Sequence, residues 1–323
     1  MNVPLVKIKH VSVDLLPNGD PFTVLDNITL NIIQGEVMGL IGETGCGKSM
    51  TAWLLLDLLP GNGKIKSGSI WFRGQDVTGS KRASLRGKNI AMIFQDPSRA
   101  LNPVHRIGKQ FMAILNKRYS FDNQQTRKLA LEWIERVRLD SPEEVFQRYP
   151  HQFSGGQMQR LMIAIAMSLK PDLLIADEPT TALDASLKSY TLDMIDELRK
   201  EFNISVLLIS HNLKLMGNRC DRIAVMYNGA IVENADADHI LHKPKHPYTK
   251  GLINALPTGE NKRLIPIEGS PPSRNIQQSG CRFEPRCADA IAICKSITPQ
   301  LFKDSNGSQV LCHHFSEENK LPQ

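Results

Sequence analysis

Residues 42–49, GETGCGKS, combine three glycines with a lysine and a serine in the spacing of a phosphate-binding loop. The segment matches G-x-x-x-x-G-K-[ST] and lies between a short apolar run, EVMGLI, and a stretch of helical length. Backbone N–H groups in such a loop surround a β-phosphate, while Lys48 reaches the β and γ oxygens and Ser49 ligates Mg²⁺. The pattern therefore predicts a site for a nucleoside triphosphate with Mg²⁺. The residues assigned to it are Gly42, Glu43, Thr44, Gly45, Cys46, Gly47, Lys48, Ser49 and Met50.

A second predicted strand, the apolar run in LLIADEP at residues 173–179, ends in two carboxylates. Open α/β sheets bind their ligands at the carboxyl ends of the strands. Asp177 at that end can join the Mg²⁺ shell, and Glu178 can polarise an attacking water. Two acidic residues after a strand can also cap a helix, but the phosphate loop upstream favours the hydrolytic interpretation.

Two further polar residues follow predicted buried strands: Gln95 in IFQDP and His211 in LLISHN. A lone glutamine or histidine in such a place is commonly only a polar strand end. Here both fall on the sheet edge that carries the phosphate loop and Asp177, where ligands bind. We therefore expect Gln95 to reach Mg²⁺ and water, and His211 to contact the γ-phosphate.

The segment FSGGQMQR at residues 153–160 has phosphate-binding chemistry of its own. A serine can cap the helix that begins at Gly155, glycines let the backbone approach an anion, and the helix dipole adds about half a positive charge. Because residues 42–49 already provide one cradle, a second cradle that faces outward suits the nucleotide of another molecule. The candidate residues are Ser154, Gly155, Gly156 and Gln157.

Strands alternate with helices along the chain, which predicts an α/β core with a mainly parallel sheet. The first 40 residues alternate apolar and polar side chains as strands do. The segment RIAVMYNGAIVE is predicted as a hairpin with an Asn-Gly turn. Further predicted elements are strands at 36–41, 89–94, 172–176 and 204–210, a helix from Lys48 stopped by Pro60 and Gly61, a mostly helical region at 107–149, and helices at 155–169 and 185–201.

The length of 323 residues is enough for about two domains. The chain turns proline-rich from about residue 244, so we predict a nucleotide-binding domain over 1–245 and an extension over 246–323. The sequence has no run of 18 apolar residues and no secretory start, so neither a membrane span nor export is expected. A net charge of +6 with 6% aromatic residues, not interleaved with basic ones, favours a solvated basic surface over nucleic-acid binding.

Four of the six cysteines crowd into the tail with the spacing C-x5-C-x6-C-x17-C. A reducing compartment disfavours disulfides, and clustered thiols then indicate metal. The spacing lacks the C-x2-C pairs of structural zinc sites, whereas four thiolates can hold a [4Fe–4S] cluster. An iron–sulfur cluster, zinc, and unliganded packing or disulfides are the three interpretations of Cys281, Cys287, Cys294 and Cys312.

The order of phosphate loop, Gln95, SGGQ, Asp-Glu pair and His211 resembles the ATP-binding-cassette (ABC) superfamily over roughly residues 5–245. The resemblance implies a P-loop NTPase fold with a RecA-like core, a helical subdomain at about 96–170 and an antiparallel β subdomain. It also implies two cassettes paired head to tail, with ATP sandwiched between each phosphate loop and the other cassette's SGGQ. The family's D-loop at the dimer interface would be Ala182, Leu183 and Asp184, and Phe22 would be its adenine-stacking aromatic.

The segments HKPKHPYTKGLINALP and GCRFEPRC further resemble the ATPase subunits of bacterial oligopeptide, dipeptide and nickel importers. That resemblance implies an ATP-hydrolysing subunit for peptide uptake, with Glu178 and His211 as hydrolytic residues and a [4Fe–4S] cluster on the tail cysteines. It implies a place at the cytoplasmic face of the bacterial inner membrane. The implied partners are a second, different ABC ATPase subunit, two permease subunits and an extracytoplasmic substrate-binding protein.

Proteins with other functions carry some of the same sequence motifs. An importer of nickel or metal chelates in the same subfamily would carry the same motifs. A soluble cassette ATPase acting on nucleic acid typically has a second cassette, a long coiled coil or inserted zinc modules, and the sequence contains none of these. A non-hydrolysing regulatory cassette would lack Glu178 or His211, and both are present. We therefore expect a peptide importer ATPase that does not bind nucleic acid.

Overall fold

The computed structural model describes residues 3–16, 21–181, 184–256, 266–270 and 279–315. These residues form two compact units. Unit 1 is the described part of Met1–Ile32, Val37–Thr78 and Ser210–Gln323, and unit 2 is that of Ile33–Glu36 and Gly79–Ile209. Within the described ranges, no helix combines the length and apolar character that crossing a membrane requires.

The elements follow one another in the mixed order expected of an α/β protein. The strands are β1 Val6–Leu15, β2 Phe22–Ile32, β3 Val37–Ile41, β4 Gly63–Phe72, β5 Gln75–Asp76, β6 Ile90–Ile93, β7 Leu173–Asp177, β8 Ser205–Ser210, β9 Arg222–Tyr227, β10 Ala230–Asp236, β11 Leu301–Lys303 and β12 Gln309–Leu311. The helices are α1 Lys48–Leu55, α2 Pro97–Ala100, α3 Ile107–Arg118, α4 Asn123–Arg136, α5 Pro142–Gln147, α6 Gly155–Ser168, α7 Ala185–Phe202, α8 Leu213–Gly217, α9 Ala237–His242 and α10 Pro247–Asn254.

Unit 1 contains an antiparallel sheet in the order β2-β1-β4-β5. Its first strand buries alternate apolar residues, including Val6 and Ile8, as a sheet with one buried face requires. The alternation breaks at His10, whose φ of 52° accompanies an irregular register between Ile8 and Val11. This sheet is the antiparallel β subdomain that the family resemblance implies.

Unit 1 also contains strands in the order β11-β12-β10-β9-β3. Strand β3 runs parallel to β9, and the other neighbours are antiparallel. The β9–β10 hairpin turns at Asn228 and Gly229, with φ of 41° and 81°, so the predicted Asn-Gly turn is confirmed. All five residues of β3 are buried, which fixes the start of the phosphate loop that follows it.

An aromatic cluster joins the tail segments of unit 1 to the β9–β10 hairpin. The rings of Tyr227 and Tyr248 lie 4.6 Å apart, and Phe283 packs against them with centroid distances of 5.2 and 5.4 Å. All three side chains are buried. The tail therefore packs into the core of unit 1 through α10 and the cysteine-rich segment.

Unit 2 combines parallel strands with a set of helices. Strand β7 lies between β6 and β8 and runs parallel to both. All of its residues are buried, as expected for a central strand of a parallel sheet. Helices α3 to α6 pack on one another, and Phe111, Trp133 and Leu161 are among their buried residues. They occupy the region that the resemblance assigns to a helical subdomain.

Most predicted elements are present, with ends that differ by one or two residues. Helix α1 is an exception, because it ends at Leu55, well before Pro60. Asp57 takes a left-handed conformation with φ of 54°, which stops the helix earlier than the proline would. Strand β4 is not predicted by the apolar pattern, since its sequence GKIKSGSIWF is rich in glycine, serine and lysine.

A neutral histidine lies at the start of α10. Nδ1 of His246 accepts a hydrogen bond from the backbone N–H of Tyr248 at 3.0 Å and so caps the helix. Burial is the main cause that lowers the pKa of His246 to about 3; the backbone hydrogen bond with Leu311 opposes this shift, and the charge of Lys250 adds to it. The imidazole is therefore uncharged in the folded protein at neutral pH.

This burial predicts a specific loss of stability in mild acid. Unfolding raises the pKa of His246 to about 6.5, so between pH 6.5 and 3 the unfolded state binds a proton that the folded state does not. Stability falls there as pH decreases, by ~1.4 kcal/mol per pH unit from this group. Substituting His246→Asn keeps a capping oxygen and removes the titration.

Urea unfolding of both proteins at pH 7 and pH 5.5 measures the effect. Wild type should lose about 1 kcal/mol more than the His246→Asn variant between these pH values. An equal loss in the two proteins would contradict a neutral buried His246.

Candidate nucleotide-binding site

The phosphate loop of unit 1 connects β3 to α1 through backbone that only glycine adopts readily. Gly42 has φ of 155°, and a Cβ there would lie 2.1 Å from the carbonyl oxygen of Met226. Gly47 has φ of 118° and forms the left-handed N-cap of α1. A side chain at either glycine would clash or strain the loop, which is the cradle that the sequence pattern predicts.

Lys48 is held at the mouth of this loop by the loop itself. Its Nζ donates hydrogen bonds to the carbonyl oxygens of Gly42 at 2.8 Å and Glu43 at 3.0 Å, and the residue is buried. Phosphate oxygens of a nucleotide are stronger acceptors for an ammonium than these carbonyls. The glycine backbone and the placed ammonium therefore fit a triphosphate.

The Glu43 carboxylate has partners that the sequence patterns did not indicate. Both of its oxygens accept hydrogen bonds from the guanidinium of Arg286, at 2.8 and 3.1 Å. Hydrogen bonding to Glu43 raises the pKa of Arg286, so the guanidinium stays protonated. The hydroxyl oxygen of Tyr248 accepts the backbone N–H of Glu43 at 3.0 Å. Two residues distant in the sequence therefore contact the phosphate loop.

The remaining predicted site residues of unit 1 lie at strand ends. His211 directly follows β8 and is exposed, and the neighbouring Asn212 caps α8. Phe22 is half-buried at the start of β2, paired with Leu15. Their contacts to a nucleotide stay predictions.

The predicted hydrolytic residues of unit 2 meet at the end of β7. Asp177 is its last residue and is 3% exposed. Glu178 follows with φ of 46°, held by a hydrogen bond from its N–H to the carbonyl oxygen of Ile209 at 2.9 Å. Its carboxylate accepts hydrogen bonds from Gln95 Nε2 at 3.2 Å and Thr181 Oγ1 at 2.7 Å. Gln95 and Glu178, 83 residues apart, thus lie in direct contact.

A cavity of about 340 Å³ in unit 2 brings together residues from three of the predicted motifs. Gln95, Glu178 and Gly155 all line it. Its wall also includes Gln159, which is 3% exposed and whose Nε2 has no hydrogen-bond partner among the described residues. The lining is mostly apolar, so the Gln159 amide is a polar group available to a molecule or segment that enters this space.

The SGGQ segment forms a helix start as predicted. Ser154 Oγ accepts the backbone N–H of Gln157 at 3.3 Å, and the Gln157 side chain returns a hydrogen bond by accepting the N–H of Ser154 at 3.1 Å. This capping box leaves the first turn of α6 well defined, with Ser154 and Gly155 exposed. Of the residues predicted to form the D-loop, Ala182 and Leu183 lie outside the described residues, and Asp184 is the N-cap of α7.

The four tail cysteines are close enough in space to influence one another. Burial raises the pKa of Cys281, and it raises the pKa of Cys287 and of Cys312 to about 11. Charge on the neighbouring thiols adds to the increase at each, and the buried Cys294 is among those neighbours in every case. A backbone hydrogen bond of 2.7 Å joins the N–H of Cys281 to the carbonyl oxygen of Cys294.

These thiols are not gathered around a single point. None of the six cysteines, all within the described ranges, forms a disulfide. Among the described residues there is also no group of three or more His, Cys, Asp or Glu side chains that could hold one metal ion.

Comparison with known proteins places these features in a family. A model described as "ABC transporter" matches residues 25–181, and one described as "Oligopeptide/dipeptide transporter, C-terminal region" matches residues 232–294. The chain is similar to the oligopeptide transport ATP-binding protein AppD of Bacillus subtilis, with 38% identity over 97% of this chain and 98% of AppD. It is 36% identical to the dipeptide transport ATP-binding protein DppD of Escherichia coli, over 98% of this chain and 99% of DppD.

Solved structures agree with this relationship. The ATP-binding cassette MJ0796, in a dimeric post-hydrolysis state bound to ADP and Pi, has a TM-score of 0.64 and 25% identity to this chain, over 72% of this chain and 98% of the cassette. CbiO1 of Clostridium perfringens has a TM-score of 0.64 and 24% identity, over 74% of this chain and 91% of CbiO1. The chain belongs to the ABC transporter family, in the branch of the oligopeptide and dipeptide transport ATP-binding proteins, and is an ATPase that uses ATP with Mg²⁺.

Proposed function

We propose that this chain energises the import of di- and oligopeptides across the bacterial inner membrane, as an ATP-hydrolysing subunit of an ABC importer. The observation that carries the proposal is the full-length match to AppD and DppD, whose names specify peptide transport and whose similarity extends through the tail. The matched C-terminal region is itself named for oligopeptide and dipeptide transport. These names favour peptides over nickel or metal chelates and over nucleic acid.

In this proposal each of the predicted site residues has a separate role in ATP binding or hydrolysis. Gly42–Ser49 bind the triphosphate, with Lys48 leaving its loop carbonyls for phosphate oxygens. Ser49, Asp177 and Gln95 are the residues that would hold Mg²⁺, which would supply positive charge to the phosphates. Glu178 orients or deprotonates the attacking water, and His211 contacts the γ-phosphate. The hydrogen bonds from Gln95 and Thr181 support the role of Glu178, because they fix its carboxylate in one orientation.

The SGGQ segment serves the nucleotide of a partner cassette. Its capping box takes up the N–H of Gln157, and the exposed first turn of α6 remains accessible to an anion. The dimeric state of the similar cassette MJ0796 supports a paired arrangement. In this pair Asp184, with Ala182 and Leu183, forms the D-loop contact, and Phe22 stacks on adenine.

The proposed assembly contains this chain, a second and different ABC ATPase, two permease subunits and an extracytoplasmic substrate-binding protein. The chain sits peripherally at the cytoplasmic face of the inner membrane, with residues 1–245 as its nucleotide-binding domain and 246–323 as an extension. Gln95 links the ATP site to the permeases, and the cavity beside it supports such a contact.

The extension holds a [4Fe–4S] cluster on Cys281, Cys287, Cys294 and Cys312 in this proposal. The proximity of the thiols supports it, because Cys281, Cys287 and Cys294 each raise the pKa of at least one other thiol in the group. The four cysteines would hold such a cluster through one thiolate per iron, and its ligands would not all have to converge on a single ion. We favour a structural role that holds the tail in its folded conformation.

The first prediction separates hydrolysis from binding. Glu178→Gln should lower ATP turnover of the assembled complex by ~10²–10⁴-fold, because it removes a general base, while ATP affinity stays unchanged. Lys48→Ala should weaken ATP binding itself. Turnover and equilibrium ATP binding are measured on both variants, and undiminished hydrolysis at this chain's site in Glu178→Gln would remove that residue from the mechanism.

The second prediction tests the composite site and the transport function together. Ser154→Arg should leave ATP binding to this chain's own phosphate loop intact, since that loop is untouched. It should abolish ATP-driven pairing with the partner ATPase and uptake of a labelled dipeptide by cells, because its bulk occupies the place of a γ-phosphate. Ser84→Arg adds the same group at another exposed serine and is the matched control.

Retained pairing and uptake in the Ser154→Arg cells would contradict the composite site. Normal peptide uptake but lost nickel uptake in cells without this chain would contradict the peptide assignment.

The third prediction concerns the tail. Protein purified without oxygen should be brown and contain about four irons per chain. Cys287→Ser should lose the colour and most of the iron, whereas Cys220→Ser, a buried cysteine outside the tail, should keep both. Colourless protein with one zinc, or protein with no metal, would contradict the cluster.

A further inference from the structure

The short loop between Cys281 and Cys287 reaches from the cysteine-rich tail to the phosphate loop of the same unit. Its residue Arg286 makes the bidentate ion pair with Glu43, with N–O distances of 2.8 and 3.1 Å. The guanidinium is nearly buried, since the Arg286 side chain is 5% exposed. A planar, two-point contact of this kind fixes orientation as well as distance.

Arg286 is itself held in place. Its Nε donates to the carbonyl oxygen of Glu268 at 3.0 Å, and its guanidinium lies 5.8 Å from the ring centroid of Tyr227. Phe283, three residues earlier in the same loop, is buried in the aromatic cluster with Tyr227. Little rotamer freedom remains for the arginine to lose when it pairs, so the contact is preorganised.

Glu43 is thereby anchored at three of its groups. Arg286 holds the carboxylate, and the Tyr248 hydroxyl accepts the backbone N–H at 3.0 Å. The carbonyl oxygen of Glu43 accepts from Lys48 Nζ at 3.0 Å. The residue that positions the phosphate-binding lysine is therefore fixed by two side chains from the C-terminal part of the chain.

The opposite charges of Glu43 and Arg286 also affect how the loop receives a triphosphate. Glu43 places a carboxylate in a loop that receives a triphosphate, and like charges repel in a partly buried site. The guanidinium of Arg286 neutralises that carboxylate from the side of the tail. A phosphate loop without Arg286 would retain its cradle but carry an uncompensated negative charge.

We propose that Arg286 is a positioning residue of the ATP site, which orients the phosphate loop through Glu43 and cancels its charge, so that the cysteine-rich tail sets the ATP affinity of its own chain. The proposal rests on ATP binding at Gly42–Ser49. Lys48→Ala tests that assignment separately: unchanged ATP affinity in Lys48→Ala would remove the assignment itself, whatever Arg286 does.

The experiment compares Arg286→Ala with the double variant Arg286→Ala/Glu43→Gln in the assembled complex. Arg286→Ala should raise the KM and the Kd for MgATP about tenfold, or ~1.4 kcal/mol, with kcat within about twofold because the hydrolytic residues are untouched. The double variant should recover most of the affinity, since a neutral glutamine needs no compensating charge. A merely structural arginine would give no such rescue.

A matched control breaks another ion pair of the tail. Lys245 pairs with Asp304 in unit 1, and within the part of the chain that the structure describes neither residue forms a hydrogen bond with the phosphate loop. Lys245→Ala should therefore lower stability without changing the KM for MgATP. Thermal unfolding of each variant shows whether it is folded at the assay temperature.

Arg286→Lys keeps the charge and loses the two-point geometry, so it covers the case in which Arg286→Ala does not fold. We expect a KM between those of wild type and Arg286→Ala. An unchanged KM in folded Arg286→Ala or, if that does not fold, in Arg286→Lys would overturn the proposal. So would an equal loss of affinity in Arg286→Ala and the double variant.

Discussion

ATP presents its phosphates as a compact cluster of negative charge, and a protein holds that cluster with donors that are already fixed in space. Backbone N–H groups can serve only where no side chain intervenes, which is why Gly42 and Gly47 occupy backbone that a Cβ would not fit. The buried strand β3 fixes one end of this loop and α1 the other. The structure of unit 1 is arranged around keeping that loop in one conformation, from the β9–β10 hairpin beneath Gly42 to the tail residues that hold Glu43.

Unit 2 holds the carboxylate that we propose acts on the attacking water. Strand β7 is buried throughout, so its end is a rigid place from which to present Asp177 and Glu178. Glu178 adopts a left-handed φ of 46° that costs free energy, and the hydrogen bond to Ile209 helps to maintain it. Strain of this kind is common where function requires a particular orientation. Gln95 and Thr181 then both donate hydrogen bonds to Oε2 of the Glu178 carboxylate.

Much of this could be predicted from the sequence because the signals are local. The glycine spacing at 42–49, the Asn-Gly turn and the serine cap at 154 each act within a few residues. Parallel strands that end at one edge likewise predicted that Gln95 and Glu178 would be close, and they are in contact. The predicted end of helix α1 was wrong, because Asp57 adopts a left-handed conformation and terminates the helix before Pro60. Strand β4 was missed because its pairing with β1, and not its own composition, makes it a strand.

Contacts between distant residues that no shared motif or sheet edge connects left no signal that one sequence can reveal. Arg286 lies 243 residues from Glu43, and nothing in the motif around either residue indicates the other. The same holds for Tyr248. Its sequence context indicates only an aromatic residue in a helix, whereas in the structure its hydroxyl oxygen accepts a hydrogen bond from the backbone of the phosphate loop. The four tail cysteines were visible as a cluster, but whether they surround one ion or a larger group depends on their arrangement in space.

We propose that this chain contributes one half of each of two shared ATP sites. In this arrangement Ser154 contacts the γ-phosphate of the nucleotide that is bound to the partner. The most direct measurement is photolabelling of the assembled complex with an ATP analogue that carries its reactive group on the γ-phosphate, followed by mapping of the labelled peptides. Labelling of the peptide that contains Ser154 should survive Lys48→Ala in this chain and disappear when the phosphate-loop lysine of the partner ATPase is changed to alanine. Loss of that label in Lys48→Ala, and its survival in the partner variant, would contradict the account.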